Sequence, residues 1–261
     1  MKYLTTEDNY RSPSVQPSWI ARRVPSLVFY LKMAGVLYAA SRAAKRGELT
    51  SQRRINSSLQ TLINLESVGV RFEIDNLGAF RNLKLPCVFV SNHMSTLETF
   101  VFPAIIEPYR GLTFVIKKSL LRYPVFKHIM ATVVPVVVTR EKPRQDFRVI
   151  LEEGRERLSR DISVVIFPQT TRSVTFDPAA FNTVGVKLAS HAEVPVIPVA
   201  LKTDAWGNSR HFIRDLGPID PSKTVHICFG EPIKIQGNGK AEHQQIIAFI
   251  EGKLRQWGQL A

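Results

Sequence analysis

From residue 86 onward, short apolar runs alternate with longer stretches whose apolar positions recur at helical spacing. "PCVFVS" (86–91) precedes "TLETFVFPAII", and "LTFVIK" (112–117) precedes "SLLRYPVFKHIM". "TVVPVVV" (132–138) precedes "RQDFRVILEEGRERLSR", and "ISVVIF" (162–167) precedes "PAAFNTVGVKLASHA". "VPVIPVAL" (194–201), "TVHICFG" (224–230) and a closing helix near 241–257 complete the series. The runs are apolar at consecutive positions, which predicts strands buried on both faces. Strands alternating with amphipathic helices predict an α/β fold, with a mostly parallel or mixed sheet flanked by helices. In such sheets ligands sit beyond the carboxyl ends of the strands.

The pattern before residue 71 is different. Residues 1–18 are polar and proline-bearing, and predict a loose N-terminus. Pro25 to Ser41 is mostly apolar, interrupted by Lys32. It is short for a span, since a bilayer core needs about 20 apolar residues. "SQRRINSSLQTLINLESVGV" predicts a helix ending near Gly69. The organisation expected is a loose N-terminus with membrane-associating helices over 1–70, and an α/β domain over 71–261.

Charge sharpens that division. The chain carries 35 Lys and Arg against 22 acids, a formal net charge of +13. Residues 1–60 hold ten of those bases and only three acids. Arg22, Arg23, Arg42, Lys45 and Arg46 flank the apolar segment. An apolar helix with basic ends fits an anchor on an anionic membrane surface; the competing reading is a core helix with solvated ends. Nucleic acid is the other anionic partner such a charge suggests, but no nucleic-acid motif accompanies it. Cys87 and Cys228 sit in apolar runs and read as buried thiols. No zinc pattern or disulfide framework is present. Metal and cofactor are therefore not expected, and the reducing cytosolic side is the favoured compartment.

Candidate chemistry lies where strands stop. In "VFVSNHMSTLETF" (88–100), His93 follows the end of an apolar run and Glu98 comes five residues later. On one regular helix these two would point about 140° apart. A pairing therefore needs His93 in the turn before the helix, its ring folded back, with Asn92 or Ser95 capping. Glu98 would then fix the tautomer and leave the other ring nitrogen as a base. A capping or packing histidine is the plainer alternative. In "VVIFPQTTRS", Gln169, Thr170, Thr171, Arg172 and Ser173 follow another strand; an arginine there suits bidentate phosphate binding. Lys117 and Lys118 sit at a third strand end, as phosphate ligands or an ordinary basic face. "KTDAWGNS" (202–209) has no assignment, and Asp204, Trp206 and Asn208 either line a pocket or build a turn.

Taken in order, these blocks resemble the glycerophospholipid acyltransferase family over roughly residues 85–202. The family's N-H-x4-D motif is carried as Asn92-His93-x4-Glu98, and a second block as "KKSLLRYPVF" (117–126). Its F-P-E-G-T-R-S motif is carried as Phe167 to Ser173, and its proline-bearing strand as "VPVIPVAL". The resemblance implies transfer of a fatty acyl group from acyl-CoA or acyl-carrier protein, as co-substrate, to the free hydroxyl of a lysophosphatidate-like acceptor. It implies His93 as general base and Glu98 as its orienting carboxylate. Lys117, Lys118, Gln169, Thr170, Thr171, Arg172 and Ser173 would bind substrate. It also implies a membrane-associated enzyme of phospholipid biosynthesis on the cytoplasmic face. Two positions depart from the pattern. Glu98 is one methylene longer than the usual aspartate, and Gln169-Thr170 stands for Glu-Gly. The alternative is a catalytically silent or differently specific lipid-binding protein on the same scaffold.

Overall fold

In the computed structural model, residue 4 and residues 7–169, 171–209 and 216–260 are described. The strands are β1 (Tyr10–Arg11), β2 (Arg71–Asp75), β3 (Val88–Ser91), β4 (Gly111–Lys117), β5 (Val136–Val138), β6 (Ile162–Ile166), β7 (Val196–Lys202) and β8 (Thr224–Phe229). The helices are α1 (Trp19–Arg23), α2 (Pro25–Lys45), α3 (Ser51–Glu66), α4 (Gly78–Arg81), α5 (Leu97–Ile106), α6 (Pro124–Ala131), α7 (Pro143–Ser159), α8 (Val184–Ala192) and α9 (Lys240–Gln256).

One eight-stranded sheet runs in the order β1-β2-β8-β7-β3-β6-β4-β5. The five strands from β7 to β5 are mutually parallel. β8 runs antiparallel to β7, and β2 is parallel to β8, so these two point the other way. The sheet is thus mixed, as expected. Its central strands divide their side chains strictly by parity. In β7, Ile197, Val199 and Leu201 join one apolar cluster, and Val196 and Ala200 the other. In β3, Phe89 faces the first and Val88 and Val90 the second. Helices α2, α3 and α5 cover the first face, and α7, α8 and α9 the second, so a single continuous run of apolar residues serves both.

The N-terminal stretch expected to be loose instead supplies an edge strand. Tyr10 and Arg11 pair antiparallel with Ile74 and Glu73 of β2. Next, α2 opens with Pro25 at its first turn, where a missing N–H costs nothing. It closes on Gly47 at φ +71°, with Gly47 N–H bonding to Ala44 O and Glu48 N–H to Ala43 O, a glycine-dependent stop. One side of α2 buries Phe29 and Met33, while Leu27, Leu31 and Tyr38 face solvent. Among the described residues, no helix is long and apolar enough to cross a membrane. Packing of α3 on α5 is locked by Ser58. Its hydroxyl donates to Phe100 O at 2.6 Å and accepts from Ala104 N at 2.8 Å, inserting itself into the α5 ladder.

Candidate active site

The site forms where β3, β6 and β7 end together. β3 stops at Ser91 because the next residue takes over its pairing with a side chain. Asn92 Nδ2 donates to Leu201 O at 2.8 Å, and Asn92 Oδ1 accepts from Leu201 N at 2.9 Å. The backbone peels off the sheet while the ladder to β7 continues. Of the two capping candidates, Asn92 is therefore a strand surrogate and does not cap. That task falls to Ser95, whose Oγ accepts from Leu97 N at 3.1 Å.

His93 sits in the resulting turn and Glu98 in the first turn of α5, so the ring does fold back. Nδ1 of His93 lies 2.9 Å from Glu98 Oε1. Phe167 stacks on the imidazole, with centroids 4.1 Å apart and planes 18° apart. Two bonds hold the His93 backbone. Its N–H donates to Gln169 Oε1 at 3.0 Å, and its carbonyl accepts from Ser173 N at 2.9 Å. The two loops are thereby stitched together.

Glu98 is fully buried. Its Oε1 also accepts from Met94 N at 2.8 Å and Ser95 N at 3.0 Å. Its Oε2 accepts from Ser95 Oγ at 3.0 Å and Thr203 Oγ1 at 2.8 Å. Burial alone would raise its pKa, but the hydrogen bond and charge of His93 and the Ser95 N–H outweigh that and lower it. A charged carboxylate beside Nδ1 keeps the proton there and turns Nε2 into the acceptor.

The expected substrate ligands divide. Gln169 is buried and ties down the loop, and Arg172, half-buried, donates to Thr96 Oγ1 at the start of α5. Ser173 Oγ is engaged with Thr175, 3.0 Å away, and so serves the turn. Thr171 is exposed. Thr170 lies outside the described residues. Lys117 ends β4 and Lys118 opens the 3-10 turn after it, both exposed.

Two residues not foreseen, Arg140 and Thr203, come to the same end of the sheet, and so does Asn208, which the sequence left between a pocket and a turn. Arg140 follows β5 with φ +61°. Asp146 holds that conformation, accepting from Thr139 N at 2.8 Å and Arg140 N at 2.6 Å. Desolvation, and then the like charge of Arg172, lower the Arg140 pKa, so two guanidinium groups share one neighbourhood. Thr203 reaches Glu98 as described, and Asn208 Nδ2 donates to Met94 O at 2.8 Å. Among the described residues, no three His, Cys, Asp or Glu side chains come together as a metal-ligand set.

Comparison with known proteins bears on the family and the fold. The Acyltransferase family profile matches residues 70–202. A 1-acyl-sn-glycerol-3-phosphate acyltransferase of Pseudomonas aeruginosa is 30% identical over 172 residues, covering 66% of this chain and 62% of that protein. One from Saccharomyces cerevisiae is 31% identical over 165 residues, 57% of this chain and 52% of that one. The chain thus spans less than two thirds of these relatives. The crystal structure of the 1-acyl-sn-glycerophosphate (LPA) acyltransferase of Thermotoga maritima superposes with a TM-score of 0.63 at 16% identity. The match covers 91% of this chain and 96% of that one, a likeness of fold.

Proposed function

The chain belongs to the Acyltransferase family, and from that premise we propose that it transfers a fatty acyl group from a thioester donor, acyl-CoA or acyl-carrier protein, to the hydroxyl of a lysophosphatidate-like acceptor. The observation that carries this reading is the His93–Glu98 pair, with one ring nitrogen committed to a buried carboxylate and two guanidinium groups nearby. Nε2 of His93 takes the proton as the acceptor oxygen attacks the thioester carbonyl. The imidazolium is steadied by Glu98 while the tetrahedral oxyanion exists. Collapse breaks the carbon–sulfur bond, and the proton passes from His93 to the departing thiolate. Arg172 and Arg140 hold the acceptor phosphate, a dianion that suits paired, planar donors.

The lipid substrate would be met at a surface. The N-terminal helices present Trp19, Ile20, Val24, Leu27, Leu31 and Tyr38 to solvent, with Arg23, Arg42, Lys45 and Arg46 exposed around them. From Ile20 onward the spacing of these apolar positions is helical. That stripe supports lying on an anionic leaflet without crossing it.

The test is purified protein with labelled acyl-CoA or acyl-carrier protein and a panel of lyso-lipids. Labelled diacyl product from phosphate-bearing acceptors is expected. Transfer to none of them overturns the reading. Arg172→Ala should lower kcat/KM for those acceptors by roughly 10- to 100-fold, the loss of a charge-assisted contact. Leu27→Glu with Leu31→Glu should release protein from phosphatidylglycerol vesicles in a sedimentation assay, with Tm unchanged because both positions are solvent-facing.

A further inference from the structure

The segment "KTDAWGNS" falls into two kinds of residue. Asp204 and Trp206 build the turn. Asp204 pairs with Lys223 at 2.8 Å, and Trp206 packs into the core against Phe29 and Phe100, with ring centroids 4.8 and 5.6 Å away. Gly207 N–H to Pro218 O and Asp220 N–H to Ala205 O, both 2.8 Å, close its base. Thr203 faces the other way. It is fully buried, two residues beyond the Leu201 that Asn92 grips, and its hydroxyl lies 2.8 Å from Glu98 Oε2.

Proton accounting singles this contact out. Ser95 has one hydroxyl proton, and its oxygen lies 3.0 Å from both Glu98 Oε2 and Thr203 Oγ1. That proton is shared between two acceptors. The Thr203 proton is therefore the one on which Oε2 depends. A carboxylate is planar, so fixing Oε2 fixes its rotation and keeps Oε1 aimed at Nδ1 of His93.

Resting on the acyl-transfer reading above, we infer that Thr203 is a positioning residue for the His93–Glu98 pair, and that it acts only because residue 98 is long enough to reach the end of β7. Removing one methylene from residue 98 would draw its carboxylate back by about 1.5 Å. That is beyond hydrogen-bond reach of the threonine. The two side chains therefore work as a matched couple.

Four variants test this: Thr203→Val, Thr203→Ser, Glu98→Asp, and the double variant. Thr203→Val keeps shape and removes the donor, so kcat should fall roughly 10- to 100-fold with KM held, as for one lost bond to a charged group. Thr203→Ser should restore kcat to within about twofold, since the hydroxyl returns. In the Glu98→Asp background, Thr203→Val should cost less than about twofold, the signature of a coupled pair. A wild-type kcat in Thr203→Val, or an equal loss in both backgrounds, overturns the inference. Melting temperatures give the same cycle without turnover. Thr203→Val should lower Tm when residue 98 is glutamate and not when it is aspartate. That arm decides even if the single valine variant folds poorly. It also decides if no lyso-lipid is acylated, a result that would sink the acyl-transfer reading and not the coupling.

Discussion

Glu98, at the carboxyl ends of the parallel strands, and Glu66, where α3 runs out beneath the N-terminal strand, expose 0% and 2% of their surface. Both side chains are almost wholly covered, and their chemistry is opposite. Glu98 meets donors on each oxygen and has its pKa lowered. Glu66 has its pKa raised by burial, only partly offset by Ser12 and Tyr10. Both of those donors land on Oε1, at 2.5 and 2.6 Å. Oε2 has no partner among the described residues. Burial therefore does not decide the state of a carboxyl group in this fold; the supply of donors does. At the site end, a turn and a helix start turn their N–H groups inward. Under β1, two side-chain hydroxyls are all that reach the acid among the described residues.

The harshest way to break the contrast is to remove the histidine. His93→Ala deletes the proposed base and the first of the donors to Glu98, and should cost turnover by about 10²- to 10⁴-fold with the fold retained. Initial rate beside melting temperature checks this, and a wild-type rate would leave His93 a mere cap.

Next comes exchanging each acid for its amide. Glu98→Gln places an NH2 group among five donors, and should lower both turnover and stability, the latter by about 1–3 kcal/mol. Glu66→Gln replaces an acid already biased toward its neutral form, and should stay within about 0.5 kcal/mol and leave turnover alone. Chemical denaturation of the pair reads the difference.

Acidity should then separate them by sign. A lowered folded pKa means that the charged Glu98 stabilises the protein above the unfolded value, near the ordinary 4.5, and that this is lost as pH falls through the folded value. A raised folded pKa means that the contribution of Glu66 is present below 4.5 and is lost as pH rises through its folded value. Stability of wild type relative to Glu98→Gln should thus shrink on acidification, while relative to Glu66→Gln it should grow. Parallel curves would abolish the distinction. A probe confined to the Glu66 side is Tyr10→Phe, which removes one of the Glu66 donors and should cost about 1 kcal/mol, read as a small drop in Tm.

The sequence displayed the middle of this molecule better than its margins. β3, β6 and β7 are buried on both faces, so their composition alone announces them. β1 is two residues long, and β2, "RFEID", has polar alternate positions; neither stands out as an apolar run. The His93–Glu98 pair was legible because its parts are five residues apart and a turn can be reasoned about locally. Arg140 and Thr203 were not. Each arrives from a different strand end, and the αL turn that carries Arg140 depends on Asp146 holding its backbone. The choice of cap between Asn92 and Ser95 stayed open for a related reason. The same amide that can cap a helix can also imitate a peptide group, and only the presence of β7 alongside selects between them.

That imitation constrains the paths along which the chain can change. Asn92 offers one donor and one acceptor side by side on a single planar amide, to the carbonyl and N–H of Leu201. Aspartate keeps the acceptor and loses the donor. Serine falls short, and leucine offers neither group. Each such single exchange leaves part of a buried backbone pair unanswered, so position 92 tolerates almost no drift by small steps.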